Sequence, residues 1–332
     1  MSELLKPEQI PELLDRFRPQ KILLLAHLRP DGDAIGSLCA ALLLLRKQGF
    51  QADAVVSGSD IPDACKPFLP AEGLKAEPEI EPSDYGLFVV LDSSRRDRIS
   101  ASFAAAEEKK LPAPMLVIDH HPDNPCYGEW NCIVPEAAAT SEILADIAFR
   151  ADWTMPEAAA TLLLLGILTD SGSFRFSNTS ARTLRAASAL MEAGGEYFRV
   201  MDACFFSKPE NMARFEADLL CNHLKKACGG KFIYTFFRPE LLEKYRIELR
   251  NTEQVIEILR AIAGPVIAAT IRIEAGGFKC SLRSKDRRYS VGRIARAVGG
   301  GGHEMAAGCT IHAASFEEAE RILLENVEKE LL

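Results

Sequence analysis

Three short apolar runs, KILLLA (21–26), LFVVL (87–91) and MLVI (115–118), constrain this chain more than any other feature. They are continuous rather than alternating and have the length of strands, which marks strands buried on both faces, as in parallel sheets. After the first run, 34–48 reads as a helix closed by Gly49 as a C-terminal cap, and 52–57 reads as a second strand. Residues 60–85 carry Pro62, Pro67, Pro70, Pro78 and Pro82 among acids and read as loop with one short helix. Helices follow over 140–150 and 156–168, the latter with Pro156 in its first turn. Strands separated by helices predict an α/β fold with a doubly wound parallel sheet.

The pattern changes after Leu190. Residues 191–229 read as mainly helical, then 232–237, 266–274 and 278–283 as strands, with helices near 252–262 and 315–331. This predicts a smaller second α/β domain. At roughly 150 residues per domain, a chain of 332 fits two. The expected boundaries are 1–190 for the first domain, 191–215 for a helical linker and 216–332 for the second domain.

Charge narrows the function classes. Acids outnumber bases by 47 to 39, a net charge of −8, whereas proteins that wrap duplex phosphate usually carry the opposite sign. Duplex DNA is therefore not an expected partner. No stretch reaches the roughly 18 uncharged apolar residues of a membrane span. The segment MSELLKPEQI lacks the basic and apolar regions of a secretory signal, and the nine Cys contain no CxxC pair. The expectation is a cytoplasmic protein with reduced thiols, in which Cys39, Cys204 and Cys280 are core residues.

Four loops carry the chemistry. The first run leads into His27-Leu28-Arg29-Pro30-Asp31-Gly32-Asp33-Ala34-Ile35-Gly36-Ser37. The second leads into Asp92, and the third into Asp119-His120-His121. The helix LLLLGILT leads into Asp170-Ser171. In open parallel sheets ligands bind outside the carboxyl ends of the strands, so these loops should converge. Any one Asp after a strand can be a helix N-cap, and Gly32 and Gly36 can be turn or packing glycines. The clustering says more, since three of only six His fall in these loops. Imidazole and carboxylate without thiolate suit a hard or borderline divalent ion such as Mn²⁺. Asp31, Asp33, Asp92 and Asp170 bring four charges that could not all stay ionised unpaired. Two divalent ions about 3.5–4 Å apart balance them and form the clamp used for in-line displacement at phosphorus.

HxxPDGDAIGS, Asp92, Asp119-His120-His121 and Asp170 together resemble the four motifs of the DHH phosphoesterases, in the family's order and across 1–190. The resemblance implies that His27 and Asp31 hold one metal, that Asp33, His120 and Asp170 hold the other, and that Asp92 bridges them. It implies His121 facing the substrate phosphate and Asp119 orienting a neighbouring His. Arg29 stands where the family commonly has Asn, adding a cation near the phosphate, and Ser171 where it commonly has Thr, keeping the hydroxyl.

In the second domain, 279–296 holds Lys279, Arg283, Lys285, Arg287, Arg288, Arg293 and Arg296 against Asp286 alone, a local charge of +6. By itself such a run reads as a solvated basic face. Gly299-Gly300-Gly301-Gly302-His303 follows, and consecutive glycines let backbone N–H groups approach an anion. GGGGHEMAAG resembles the signature of the DHH-associated C-terminal domain, which implies nucleotide binding by Gly300, Gly301, Gly302 and His303. Arg283 and Ser284 match the position where that family grips phosphate, and Arg suits it through bidentate contacts.

The two domains together resemble the nanoRNases that also act on 3′-phosphoadenosine 5′-phosphate. The resemblance implies an active site in the interdomain cleft and hydrolysis of short single-stranded RNA to mononucleotides. It further implies two divalent ions, Mn²⁺ first with Mg²⁺ or Co²⁺ as alternatives, and a homodimer, for which no sequence feature speaks. Two other readings stand beside it: a phosphodiesterase for a linear or cyclic di-adenylate, and an inactive nucleotide- or RNA-binding module. A dinucleotide-dependent enzyme is disfavoured because no GxGxxG follows the first strand.

Overall fold

A computed structural model describes residues 2–56, 61–99, 111–252, 254–274 and 276–332. Two compact units emerge, Met1–Ser207 and Lys208–Leu332. Residue 57 of the expected second strand and residue 60 of the Pro-rich loop lie outside the described residues.

The first unit is built on a seven-stranded, all-parallel sheet. Its strands are β1 (Glu3–Leu4), β2 (Ile22–Leu25), β3 (Ala52–Val55), β4 (Leu74–Lys75), β5 (Leu87–Leu91), β6 (Met115–Asp119) and β7 (Trp130–Ile133), in the order β1-β7-β6-β5-β2-β3-β4. β2, β3, β5 and β6 are buried at every residue, which is why they run apolar without alternation apart from Asp53 of β3 and Asp119 at the end of β6. Alternate residues serve the two faces. Ile22, Leu24, Val89, Leu91, Leu116 and Ile118 join the larger core, whereas Leu23, Leu25, Phe88, Val90, Met115 and Val117 join a separate smaller one.

The helices are α1 (Ile10–Asp15), α2 (Gly32–Lys47), α3 (Thr140–Arg150), α4 (Glu157–Asp170), α5 (Ala181–Glu192) and α6 (Tyr197–Met201), the last running into a π-helical turn over Asp202–Phe206. Pro156 is the N-cap of α4, one residue before the expected position in its first turn. The 60–85 segment forms three 3₁₀ turns and β4 where one short helix was expected, because each turn starts on a proline-containing tripeptide too short to extend. From β2 the chain winds to β3 and β4, then crosses back to β5, β6 and β7 on the other side. The reversal falls between β2 and β5, so their carboxyl ends flank the switch-point crevice.

The second unit has a mixed six-stranded sheet in the order β12-β13-β11-β10-β9-β8. Its strands are β8 (Leu224–Ala227), β9 (Phe232–Phe237), β10 (Ile267–Glu274), β11 (Gly277–Ser284), β12 (Gly301–Gly302) and β13 (Ala306–Ile311). Only β9 and β10 pair in parallel. β8 was expected to be helical; its LKKA sequence instead forms an edge strand, where exposed lysines discourage further pairing. Helices α7 (Glu210–Asn222), α8 (Pro239–Tyr245), α9 (Val255–Ala261), α10 (Val291–Ala297) and α11 (Phe316–Leu331) complete it. Met212, Phe215, Leu219, Leu241, Val255 and Leu259 cover one sheet face, while Ala319, Leu323 and Val327 of α11 cover the other. Residues 191–207 pack with the first unit, and α7 begins the second.

Cys39 and Cys280 lie in the two cores, whereas Cys204 is only half-buried, on the π-helical turn. Among the described residues no helix is long and apolar enough to cross a membrane.

Candidate active site

The switch-point crevice collects the sequence-predicted residues of the first unit. His27 and Asp31 follow β2, Asp92 follows β5, and Asp119, His120 and His121 follow β6. Asp33 comes from the first turn of α2, and Asp170 ends α4. Those helices approach closely because of two glycines. A Cβ on Gly36 would lie 2.5 Å from the Leu162 carbonyl, and one on Gly166 would lie 2.3 Å from Asp33 Oδ1. A larger residue at either position would separate the helices that bring Asp33 beside Asp170.

Three groups of potential ligand atoms lie within 4.8 Å of one another: His27, Asp31 and Asp92; Asp33, His120 and Asp170; and Asp92, His120 and His121. Asp92 shares its two oxygens between them. Its Oδ2 is 3.7 Å from His27 Nε2, while its Oδ1 is 3.5 Å from His120 Nε2 and 3.8 Å from His121 Nδ1. His120 Nε2 is also 3.3 Å from Asp170 Oδ2. Asp92 stands at φ +55°, a left-handed conformation tolerated by Asp and Asn better than by most residues.

Asp31 is also a helix cap. Its Oδ1 accepts from the backbone N–H groups of Asp33 and Ala34, both at 3.1 Å, and lies 3.9 Å from His27 Nε2. The bland and the functional readings of this residue therefore coexist. Asp119 is fully buried. Its Oδ1 accepts from the His120 N–H at 2.9 Å and pairs with His121 Nδ1 at 2.7 Å, and its Oδ2 accepts from Asn124 Nδ2 at 2.7 Å.

Electrostatics bear on what the cluster can hold. Burial, then repulsion by Asp92 and Asp31, holds the Asp33 carboxyl well above the usual range, although bonds from Ser141 oppose this. Burial and the charges of Asp33, Asp31 and Asp92 do the same to Asp170. Burial depresses His27, but Asp92 and Asp31 outweigh it and bring its imidazole to about 9. Burial likewise depresses His121, and Asp119 and Asp92 bring it to about 9. Burial also opposes ionisation of Asp92, but its three imidazole neighbours hold its carboxyl well below the usual range. Carboxylates that repel one another this strongly, interleaved with imidazole and without thiolate, fit bound divalent cations.

Sequence reasoning missed Thr140, Ser141, Asn124 and Gly166. The available signal was Ala139, which leaves α3 without a capping side chain and so in need of an acceptor from elsewhere.

In the second unit, Arg283 Nε donates to Glu257 Oε1 at 2.7 Å, and Glu257 also pairs with Arg260 at 3.1 Å. Lys285 donates to the Ile262 carbonyl. Ser284 is buried, and its hydroxyl donates to the Asp286 carbonyl at 2.9 Å in a local turn. The glycine run is less free than its composition implies. Gly299, at φ +79°, and Gly300 donate to the Arg296 and Ala295 carbonyls and close α10. Gly301 and Gly302 form edge strand β12, paired with Gly308 and Ala307. A Cβ on Gly301 would meet nothing within 4 Å among the described residues, so the face of this edge strand is open there. His303 follows, half-buried. Within the basic run, Arg288 pairs with Asp286 and Arg293 with Glu330, so much of its charge is matched locally.

The chain matches the DHH family, N-terminal domain, over residues 21–167 and the DHHA1 domain over residues 229–330. It is 31% identical over 314 residues to the bifunctional oligoribonuclease and PAP phosphatase NrnA of Thermus thermophilus, covering 93% of this chain and 90% of that one. It is 27% identical over 309 residues to the protein of the same name from Bacillus subtilis, covering 92% and 93%. A solved exopolyphosphatase-related protein from Bacteroides fragilis shares the fold, with a TM-score of 0.86 at 22% identity over 97% of this chain and 96% of that one. With its motif residues gathered at one sheet edge and these relatives spanning nearly its whole length, the chain belongs to the DHH family of phosphoesterases.

Proposed function

We propose that this phosphoesterase hydrolyses very short single-stranded oligoribonucleotides to mononucleotides, and also removes the 3′-phosphate of 3′-phosphoadenosine 5′-phosphate. The observation that carries the reading is the division of Asp92 between two ligand groups, one centred on His27 and one on His120. Relatives named for both activities, at 31% and 27% identity, support the substrate class.

DHH phosphoesterases depend on divalent metal ions. In this reading His27 and Asp31 would hold one, Asp33, His120 and Asp170 would hold the second, and Asp92 would serve both. The all-N/O ligand set favours Mn²⁺, with Mg²⁺ and Co²⁺ as alternatives. When bound, such a pair polarises the phosphate and stabilises charge on the attacking and leaving oxygens.

The remaining work falls to the chain. Asp119 engages Nδ1 of His121, and in this reading Nε2 faces the substrate phosphate. A proton held at that Nε2 is donated to a non-bridging or leaving oxygen. Arg283, with Arg260 around Glu257, grips phosphate, and the open edge at Gly301–Gly302 with Gly300 and His303 receives the nucleotide. The buried hydroxyl of Ser284 shapes that turn. In this reading the first unit, residues 1–207, is the catalytic domain and the second, 208–332, the nucleotide-binding domain, so the expected connection 191–215 divides between them. A net charge of −8 gives long polymers and duplex DNA little attraction, which favours short substrates.

The test is a Mn²⁺-supplemented assay on labelled RNA from dinucleotide to about 24-mer, with 3′-phosphoadenosine 5′-phosphate alongside. Mononucleotide release fastest on the shortest chains, with AMP formed from the bisphosphate, is the expected result. Cleavage confined to a di-adenylate would replace the substrate assignment. No turnover with Mn²⁺, Mg²⁺ or Co²⁺ would remove the enzymatic reading.

A further inference from the structure

Helix α3 starts at Thr140 with Ala139 as its N-cap, so no capping side chain satisfies its first N–H groups. Asp33 of α2 supplies the acceptor. Its Oδ2 accepts from the Thr140 N–H at 2.6 Å and its Oδ1 from the Ser141 N–H at 3.0 Å. The aligned dipoles of α3 favour the negative charge placed there. Each oxygen spends one lone pair on the helix and keeps another for a cation.

The same residue reaches a second ligand. Thr140 Oγ1 donates to Asp92 Oδ1 at 3.1 Å, and Thr140 is fully buried. The neighbouring Ser141 side chain turns toward Asp33, whereas the Thr140 hydroxyl is the one in this turn that bonds Asp92. The terminal torsion of a carboxylate is soft, so a hydrogen bond decides which way its oxygens point. Asp92 must present Oδ1 toward His120 and Oδ2 toward His27 to serve both groups.

We propose that Thr140 is a positioning residue that locks Asp33 and Asp92 in register, and thereby sets the spacing at which the two divalent ions are held. The inference rests on the two-metal reading of the site. Thr140→Val keeps the volume and the backbone N–H but removes the hydroxyl, whereas Thr140→Ser keeps the hydroxyl without the methyl.

The experiment is calorimetric titration of the metal-free full-length protein with Mn²⁺, paired with electron paramagnetic resonance of the loaded form. Losing an outer contact to a ligand typically weakens metal affinity by about 10–100-fold. Thr140→Val is therefore expected to weaken binding of one ion by about tenfold or more, and to alter or abolish the spin coupling between the pair. Thr140→Ser should retain wild-type affinity and coupling. Wild-type binding and coupling in Thr140→Val would overturn the proposal, as would equal damage in Thr140→Ser, which would assign the effect to methyl packing. If circular dichroism shows that Thr140→Val does not fold, Thr140→Ala is read in its place by the same criteria. A wild-type protein that binds one ion or none, without spin coupling, would overturn the two-metal reading itself, a result visible before any variant is made.

Discussion

Nδ1 of His121 lies 2.7 Å from Oδ1 of Asp119, and the other oxygen of that carboxylate is held by Asn124 Nδ2, also at 2.7 Å. The chain Asn124–Asp119–His121 fixes the orientation of the imidazole ring, because the carboxylate accepts the Nδ1–H. His120, the preceding residue, directs its Nε2 toward Asp92 and Asp170, whereas His121 gives its Nδ1 to Asp119 and lies beside the same Asp92 oxygen.

Asp119→Asn should therefore lower kcat by about 10–100-fold while leaving KM within about threefold, since it disturbs orientation rather than binding. Steady-state kinetics on a dinucleotide checks this. An unchanged kcat would show that His121 needs no anionic partner.

Asp92→Asn removes the charge but keeps a side chain that tolerates φ +55°. Turnover should fall by about 10³-fold or more, in line with loss of a charge-stabilising group at the reacting centre. Equilibrium dialysis should show fewer than two ions retained per chain. Near-normal turnover with full metal content would remove the bridging assignment.

Gly36→Ala places a methyl 2.5 Å from the Leu162 carbonyl, where neither helix can yield without moving Asp33 from Asp170. Overpacking of this kind costs about 1–3 kcal/mol, and the fixed backbone on the far side argues for the upper end. Urea unfolding should show the lowered midpoint, and Mn²⁺ affinity should fall with it. A variant as stable as wild type would mean that the helices are free to slide.

A buried cation-ringed carboxylate away from the active site contributes to the pH dependence of stability. Asp53 on β3 faces Lys21 at 2.7 Å, Lys75 at 3.0 Å and Arg46 at 3.2 Å, and accepts from the Tyr85 hydroxyl at 2.9 Å. Burial raises its pKa, but the bonds from Lys21, Lys75 and Tyr85 outweigh it and leave a value of about 2. The folded value is below the unfolded value of about 3.9, so the contribution is complete above about pH 4 and is lost as pH falls toward 2. At about 1.4 kcal/mol per unit it amounts to about 2 kcal/mol. Asp53→Asn should be less stable than wild type by about that much near neutral pH, with the gap closing below about pH 3. Urea midpoints across that range decide it, and a gap independent of pH would sink the assignment.

Arg283→Ala should raise KM about tenfold with a smaller change in kcat, as expected for a residue that grips substrate equally in ground and transition states. Equal loss in kcat and kcat/KM would place Arg283 at the reacting phosphate instead. The Glu257 pairing makes Arg283 part of a rigid cluster, which is a reason to expect a clean effect on binding.

The sequence alone determined the four central strands of the first sheet, β2, β3, β5 and β6, because runs such as LFVVL fit between two covered faces, but not the short strands β1, β4 and β7. It also placed Asp and His where those strands end, the groups that the fold gathers into one cluster. It could not determine how the ligands are aimed. Asp33 is oriented by the N–H groups of Thr140 and Ser141, which are 107 and 108 positions away along the chain. The approach of α2 to α4 depends on Gly36 meeting the backbone of Leu162, a contact that no local pattern encodes. The glycine run after α10 shows the converse. Its composition suggests a loop free to cradle an anion, whereas the fold spends Gly299 and Gly300 on capping a helix and Gly301 and Gly302 on pairing with β13. Local periodicity reports which face of an element is buried, but backbone hydrogen bonds between distant segments form only when the chain has closed. The identity of this site's atoms was therefore legible in the sequence, and their geometry was decided by tertiary packing.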